Sequence, residues 1–139
     1  MEHAEDMIEV FRRFKDMDLQ IAIDDFGTGY SSLAYLKRFP VDTIKIDRSF
    51  LRGVPADHED VAIVTGVIAM ARGLGLKVVA EGVEDQDQLA FLRERGCDYI
   101  QGFHLSEPLP AEEFERRFLV PRLVARNGDR KVTAFKPKA

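Results

Sequence analysis

The sequence predicts an α/β domain built on a parallel sheet, and three observations support this fold class. Four short apolar segments alternate along the chain with segments that carry apolar residues at helical spacing. Each apolar segment is nearly continuous, as expected for a strand that is covered on both faces. A polar residue ends or directly follows each of the four segments. Parallel α/β folds carry their functional residues at these carboxyl ends of the strands.

The first predicted helix spans residues 2–17 and is amphipathic. Its apolar stripe recurs at helical spacing and is expected to face a core, with charged residues on the opposite side. The stripe consists of Met7, Val10, Phe11 and Phe14. A short apolar run at 21–23 is the first predicted strand. It ends in Asp24 and Asp25, and the glycines and serines of residues 26–32 predict a loop that leads into a short helix.

Strands and helices continue to alternate after Pro40, which ends the short helix. Residues 61–74 form a predicted helix, because apolar residues recur in register and glycines mark its end. The remaining predicted strands are 43–47, 78–80 and 99–100.

The last two predicted helices are identified by their end signals. Asp85 is expected to N-cap one of them, with Gln88 as its capping-box partner and Gly96 after its last turn. A proline opens the other helix, in which Phe114 and Phe118 are expected on the buried side.

Two closures of the predicted sheet are open. An open doubly wound sheet suits a chain of 139 residues, whereas an eight-stranded barrel typically needs about 250 residues. Length alone favours the open sheet, but the polar residues at the end of every strand weigh against a decision on length.

Composition indicates one soluble globular domain, since 45% of the residues are hydrophobic, 32% are charged and the net charge is -4. No apolar stretch is long enough for a membrane-spanning helix, and the acidic start of the chain is unlike a signal peptide. We therefore expect a cytoplasmic protein or the cytoplasmic part of a larger one. The single cysteine, Cys97, excludes an internal disulfide and is expected to be a small buried residue.

Charge is unevenly distributed along the chain. Residues 122–139 carry a net charge of +5, which leaves -9 for the preceding residues because the total is -4. An acidic body argues against binding of duplex nucleic acid, which depends on neutralisation of phosphates by Lys and Arg. We expect a domain at residues 1–119 and a solvated basic extension or linker at residues 120–139.

Candidate site residues lie at the ends of the predicted strands. The oxygen-bearing side chains there are Asp24, Asp25, Asp47, Glu81 and Gln101. Lys45 lies inside the second strand, where alternation places it on the same face as Asp47. A lysine in a buried strand is costly unless it is paired or functional. Lys45 therefore either forms a structural ion pair with Asp47 or Glu81, or belongs to a functional site.

The chemistry of this set points to a divalent cation. Carboxylates that converge at one end of a sheet repel one another, and a cation compensates that repulsion. Oxygen ligands without paired cysteines or clustered histidines favour Mg²⁺ or Mn²⁺ over zinc. Two such metals are a recurring solution for phosphoester hydrolysis. Asp24 and Asp25 can serve one site only if the chain bends, which Gly27 and Gly29 permit.

Four ordered segments closely resemble the carboxyl-terminal half of the EAL domain family. They are DDFGTGYSSL at 24–33, IKID at 44–47, VAEGVE at 79–84 and QGF at 101–103. The resemblance covers residues 1–119. It implies a modified (β/α)8 barrel, similar to a TIM barrel, that hydrolyses the bacterial second messenger cyclic di-GMP to linear pGpG with Mg²⁺ or Mn²⁺.

The resemblance also implies roles for individual residues. Asp24 looks like the carboxylate shared by two metals, while Asp25 and Glu81 look like ligands of the second metal. Lys45 and Glu81 are expected to be catalytic, with Lys45 orienting or activating the attacking water.

Three further positions take their expected roles from the same resemblance. Gln101 and Gly102 are expected to line the substrate and metal pocket, and Asp25 to contact substrate as well. Glu84 resembles the residue that holds the loop after Asp25 in shape, a loop that the family links to metal binding and dimerisation.

The chain also departs from the family pattern. The Glu-Ala-Leu motif and the following asparagine and glutamate strands do not occur in it, so three expected metal ligands are missing and only four of eight β/α units are present. We therefore expect a half-barrel that is inactive by itself, as a fragment, an expression boundary or an alternative start would produce. Its open strand edges or the DDFGTG loop would then support self-association as a homodimer.

Two other functions compete with a phosphodiesterase fragment. One is a non-catalytic module that binds cyclic di-GMP or another protein. The other is a phosphoacceptor receiver domain, which also combines an acidic pair, Mg²⁺ and a lysine on an open sheet. The receiver pattern fits poorly, because Lys45 lies on the second strand rather than the last.

Overall fold

The computed structural model describes residues 2–28 and 36–119. The chain divides into two compact units, Met1–Leu105 and Ser106–Ala139, and each is described by itself. The first unit contains helix α1 (Glu2–Asp16), strands β1 (Ala22–Phe26) and β2 (Thr43–Ile46), a 3₁₀ helix (Arg48–Phe50), helix α2 (His58–Gly73), strand β3 (Lys77–Glu81), helix α3 (Gln86–Arg95) and strand β4 (Tyr99–Gln101). The second contains helix α4 (Ala111–Phe114) and a π-helical segment (Glu115–Leu119).

The four strands form one parallel sheet in the order β1-β2-β3-β4. This confirms the predicted α/β class and the parallel pairing. Each strand lies beside the next one along the chain, as in the wall of a barrel, whereas a doubly wound sheet reverses its strand order at a switch point. Among the described residues, β1 and β4 are the outer strands. The sheet is therefore consistent with part of a barrel.

The core of the first unit lies between the sheet and helices α2 and α3. Strand β2 alternates as predicted, because Ile44 and Ile46 are fully buried while Thr43 and Lys45 are half-buried on the other face. Core side chains from the helices include Val64, Ile68, Ala71, Leu89 and Leu92. Packing of these helices on one face leaves the face that carries Lys45 open for a site.

The end signals of the helices are mostly where the sequence places them. Asp85 and Gln88 form the expected capping box, and Gly96 ends α3 in the left-handed conformation with φ of 72°. Helix α2 begins three residues earlier than predicted, because the side chain of Asp57 accepts hydrogen bonds from the first turn at 2.8 and 3.1 Å.

The predicted core stripe of α1 is largely wrong. Ile8 is the buried residue of this helix, and Phe11 is half-buried with its ring 5.4 Å from that of Phe39. Met7 and Val10 are each 46% exposed, and Phe14 is 41% exposed. Helical spacing identifies which residues share a face, but only the side of that face toward Ile8 and Phe11 meets other described residues.

The predicted buried side of the last helix is also wrong. Phe114 and Phe118 are 48% and 39% exposed, with their ring centroids 5.1 Å apart. Helix α4 is a single turn, so the two rings contact each other and no described residue of the second unit buries them.

Cys97 lies where a small apolar residue was expected. It is half-buried against the core, and burial raises the pKa of its thiol to about 11. The thiol is therefore protonated at neutral pH and behaves as a packing residue. The predicted basic extension at residues 120–139 and most of the predicted short helix before Pro40 lie outside the described residues. Within the described ranges, no helix is long and apolar enough to cross a membrane.

Candidate active site

Three carboxylates meet at the carboxyl edge of the sheet. Asp24 and Asp25 belong to the end of β1, and Glu81 is the last residue of β3. Each offers one oxygen, and these oxygens all lie within 4.8 Å of one another. The strands run in parallel, so their carboxyl ends share one edge and side chains distant in sequence converge there.

Lys45 links two of these carboxylates from the intervening strand β2. Its Nζ lies 2.9 Å from Oδ1 of Asp24 and 2.5 Å from Oε1 of Glu81. The Lys45 side chain is 25% exposed and that of Glu81 18% exposed, whereas that of Asp24 is 62% exposed. The ion pair of Lys45 with Asp24 is therefore open to solvent, and its ion pair with Glu81 is more enclosed.

Hydrogen bonding stabilises the charged forms of Lys45 and Asp24. The hydrogen bonds that Lys45 donates, first to Glu81 and then to Asp24, raise the pKa of its ammonium group. The hydrogen bond from Lys45 in turn lowers the pKa of Asp24 below its usual value. Lys45 is therefore an ammonium donor at neutral pH, and Asp24 is a carboxylate.

The backbone bends at Asp25, which brings two adjacent aspartates to one site. Asp25 has a φ of +50°, and the pairing of β1 with β2 shifts between Ile23 and Phe26. A regular strand would point successive side chains to opposite faces. The predicted bend therefore occurs, but it begins at Asp25 itself rather than only at the glycines. Gly27 also has a positive φ of +102°, while Gly29 lies outside the described residues.

A positive φ is informative at an aspartate. The left-handed region costs a residue other than glycine about 1 kcal/mol, and Asp and Asn tolerate it better than others. Strained backbone of this kind is typical of sites where geometry is functional.

Asp47 does not join the cluster, in contrast to the expectation that every strand ends in an available oxygen ligand. Its Oδ1 accepts a hydrogen bond from the backbone N–H of Ser49 at 2.8 Å and caps the 3₁₀ helix. Hydrogen bonds from Ser49 lower the pKa of Asp47. The alternative that Lys45 pairs with Asp47 is wrong, and its pairing with Glu81 is confirmed.

Gln101 and Gly102 lie beside Glu81 on the same edge. Gln101 is the register partner of Glu81, it is exposed, and its carbonyl accepts a hydrogen bond from Val83 N–H at 3.0 Å. Gly102 packs so closely on the backbone of Val83 that a Cβ at this position would overlap it. The absence of a side chain at Gly102 thus lets the β4 end approach the loop after Glu81.

Among the described residues, the carboxylates that converge do not include Glu84. Its side chain is exposed, and its backbone N–H donates to Oε1 of Gln88 at 2.8 Å. The loop that it is expected to hold includes residues 29–32, which are outside the described residues, so its role stays a prediction.

The positioning role of Gln88 exceeds the capping box that the sequence predicts. Gln88 is only 5% exposed, and its Nε2 donates to the carbonyl of Leu51 at 2.9 Å. Its Oε1 accepts from the backbone of Glu84 and, at 3.4 Å, of Asp85. One side chain thereby ties the segment after β2 to the segment after β3, the two strands that carry Lys45 and Glu81. A single sequence gives no indication that the Gln88 side chain is buried.

The donor set fits a divalent cation in kind and in charge. Carboxylate oxygens are the ligands that Mg²⁺, Mn²⁺ and Ca²⁺ prefer. Three carboxylates against one ammonium leave an excess of negative charge at the edge. Asp24, Asp25 and Glu81 are the residues that would hold such an ion.

Comparisons with known proteins show the family of this chain. The family model described as EAL domain matches residues 1–108. The chain is 50% identical over 121 residues to "Cyclic di-GMP phosphodiesterase NbdA" of Pseudomonas aeruginosa, covering 85% of this chain and 16% of that protein. The chain therefore belongs to the EAL domain family.

Solved structures share the fold of this chain. The c-di-GMP complex of the phosphodiesterase PaMucR superposes with a TM-score of 0.76 at 47% identity, covering 82% of this chain and 46% of that one. The manganese and cy-diGMP complex of Klebsiella pneumoniae BlrP1 superposes with a TM-score of 0.67 at 39% identity, covering 72% of this chain and 26% of that one. A calcium complex of BlrP1 matches as well. The chain spans less than half of these structures and about a sixth of its NbdA relative.

Proposed function

We propose that this chain supplies the carboxylate and lysine half of a metal-dependent phosphodiesterase site that hydrolyses cyclic di-GMP to pGpG. The observation that carries the proposal is the convergence of Asp24, Asp25 and Glu81 within 4.8 Å, with Lys45 bonded to two of them. Relatives of the same family are named as phosphodiesterases for this nucleotide. Because the substrate is a second messenger inside bacteria, the proposal includes a cytoplasmic location.

The proposed reaction adds water to one phosphodiester of the ring. The water oxygen bonds to phosphorus, the bond from phosphorus to the 3′ oxygen breaks, and the phosphate stays on the 5′ oxygen in pGpG. The water loses one proton and the leaving 3′ oxygen gains one. Glu81 is proposed as the proton acceptor, because it is the more enclosed carboxylate of the Lys45 pair.

Lys45 is proposed to orient the water and to stabilise developing negative charge. Its Nζ is bonded to Asp24 and Glu81, so it reaches the site as a hydrogen-bond donor. This geometry supports the role of Lys45 in orienting the attacking water.

Asp24, Asp25 and Glu81 are proposed to hold Mg²⁺ or Mn²⁺, with Asp24 shared between two ions as in the family pattern. Such ions, when bound, lower the pKa of water and offset charge on the phosphoryl oxygens. Gln101 and Gly102 are proposed to line the substrate pocket beside Glu81, and Asp25 to contact substrate. Glu84 is proposed to hold the loop after Asp25.

A non-catalytic role is the second candidate, and the outer strands of the sheet favour it. Strands β1 and β4 each pair on one side only among the described residues, and such edges support self-association. In this role the chain binds cyclic di-GMP or a second copy of itself without turnover.

Incubation of the purified chain with cyclic di-GMP and Mn²⁺, followed by chromatography for pGpG, tests the proposal. The proposal predicts product, in contrast to the inactivity that the missing family ligands predict; Asp24→Asn is expected to abolish this product, and the matched control Asp16→Asn, at an exposed position of α1, to retain it. Absence of product from the folded chain would refute catalysis by this chain alone. Calorimetry with the nucleotide and sedimentation would then decide whether the non-catalytic candidate holds.

A further inference from the structure

We propose that Arg48 binds the second, non-reacting phosphate of the cyclic dinucleotide and so acts as a substrate-positioning residue. The inference rests on the proposed function, because it assigns a role toward the same substrate. Arg48 follows β2 by two residues and begins the 3₁₀ helix. The residues predicted for the site do not include Arg48.

The contact between Arg48 and Gly82 places its stem at the site edge. A Cβ at Gly82 would lie 2.5 Å from Cβ of Arg48, 3.5 Å from its Cα and 3.6 Å from its Cδ. The arginine stem therefore runs along Gly82, the residue directly after Glu81. The guanidinium begins one bond beyond Cδ, so it starts close to the residue that follows Glu81.

The guanidinium of Arg48 is available for a ligand. Arg48 is exposed, and none of the ion pairs or side-chain hydrogen bonds among residues 5–28 and 36–119 involves its guanidinium. The charged group that acts on it is the neighbouring Asp47, whose carboxylate is engaged by Ser49. Lys45, in contrast, is held by two carboxylates. Among the described residues, Arg48 is the one lysine or arginine within three positions after a strand end, and its guanidinium has no carboxylate oxygen within 4.0 Å.

The charges of the substrate explain why such a group is needed. A cyclic dinucleotide carries two phosphodiesters, each with one negative charge. The cluster of Asp24, Asp25 and Glu81 can accept one phosphodiester through bound cations, but it repels the other. A guanidinium presents parallel N–H donors that match two phosphate oxygens. The guanidinium of Arg48 therefore matches the second phosphodiester of the ligand in charge and in geometry.

Binding of cyclic di-GMP to the full chain in Mn²⁺ buffer tests this inference. Isothermal titration of Arg48→Gln is expected to show affinity lowered by at least about 10-fold, the cost of one charge-assisted contact, and Arg48→Lys is expected to recover part of the loss. The matched control is Arg52→Gln, an exposed arginine four residues further on, which should bind like the unaltered chain.

Cyclic di-AMP distinguishes a phosphate contact from a contact with the guanine base. Equal fold losses of Arg48→Gln for both nucleotides support the phosphate, while a loss confined to cyclic di-GMP overturns it in favour of base recognition. Unchanged affinity in Arg48→Gln, or no binding by the unaltered chain, overturns it as well. Failure of the proposed hydrolysis is distinguishable from these outcomes, because it would appear as unchanged affinity for cyclic di-GMP with no pGpG formed.

Discussion

Gln88 ties the segment after β2 to the segment after β3, and its replacement by leucine isolates that role. The substitution nearly preserves side-chain volume, so it removes hydrogen bonds without opening a cavity. It removes the 2.9 Å donor from the carbonyl of the fully buried Leu51, which keeps its hydrogen bond from Val54 N–H at 3.2 Å. The cost is therefore that of one lost hydrogen bond, about 0.5–1.5 kcal/mol. Loss of half of the capping box adds about 0.5–1 kcal/mol, since Glu84 and Asp85 are exposed and their N–H groups regain water.

The expected loss in the free energy of unfolding is therefore about 1–2.5 kcal/mol. Urea denaturation followed by circular dichroism measures it, and the midpoint should fall by about 0.5–1.5 M with an unchanged slope. Gln86→Leu is the matched control, because Gln86 is an exposed residue at the start of the same helix. A loss below about 0.5 kcal/mol for Gln88→Leu would refute the reasoning, because it would mean that the bond to Leu51 contributes nothing net.

Three further predictions concern charge. Lys45→Gln should abolish pGpG formation yet tighten Mn²⁺ binding in calorimetry, because it removes a cation that competes for two carboxylates; weaker Mn²⁺ binding would contradict this. Asp25→Asn should lose Mn²⁺ affinity, but its free energy of unfolding should lie within about 0.5 kcal/mol of that of the unaltered chain, because Asn tolerates the same positive φ. A large destabilisation would disprove that account. Asp42 accepts hydrogen bonds from Lys15 at 2.6 Å and Ile21 N–H at 2.7 Å, and these lower its pKa. A lowered pKa stabilises the fold above the ordinary value of 3.8, and the stabilisation is lost as the pH falls further. Asp42→Asn should therefore be less stable than the unaltered chain in urea at pH 7, with a difference that shrinks below pH 3.8; a constant difference would exclude the ionic origin.

Several features of the fold follow from local patterns that act over a few residues. The order of strands and helices, the capping box at Asp85 and the alternation around Lys45 are of this kind, since periodicity and capping depend on neighbouring side chains. The identities of Asp24, Asp25 and Glu81 as candidate ligands follow from their place at strand ends, because parallel strands bring those ends to one edge.

Predictions failed where the outcome depended on what a residue meets in space. The α1 stripe has the right spacing, but Met7 and Phe14 remain exposed because the described neighbours cover only part of that face. Asp47 has the right residue type for a ligand, but a backbone N–H two residues away occupies its carboxylate.

The sequence by itself determined the residue types of the site and the strands that carry them, because these depend on local order along the chain. Only the tertiary structure decided that Lys45 bridges Asp24 and Glu81, and that the backbone turns at Asp25. It also decided that the stem of Arg48 lies along Gly82. These contacts join residues that are up to dozens of positions apart, and their geometry follows from sheet register and packing, which no local pattern encodes.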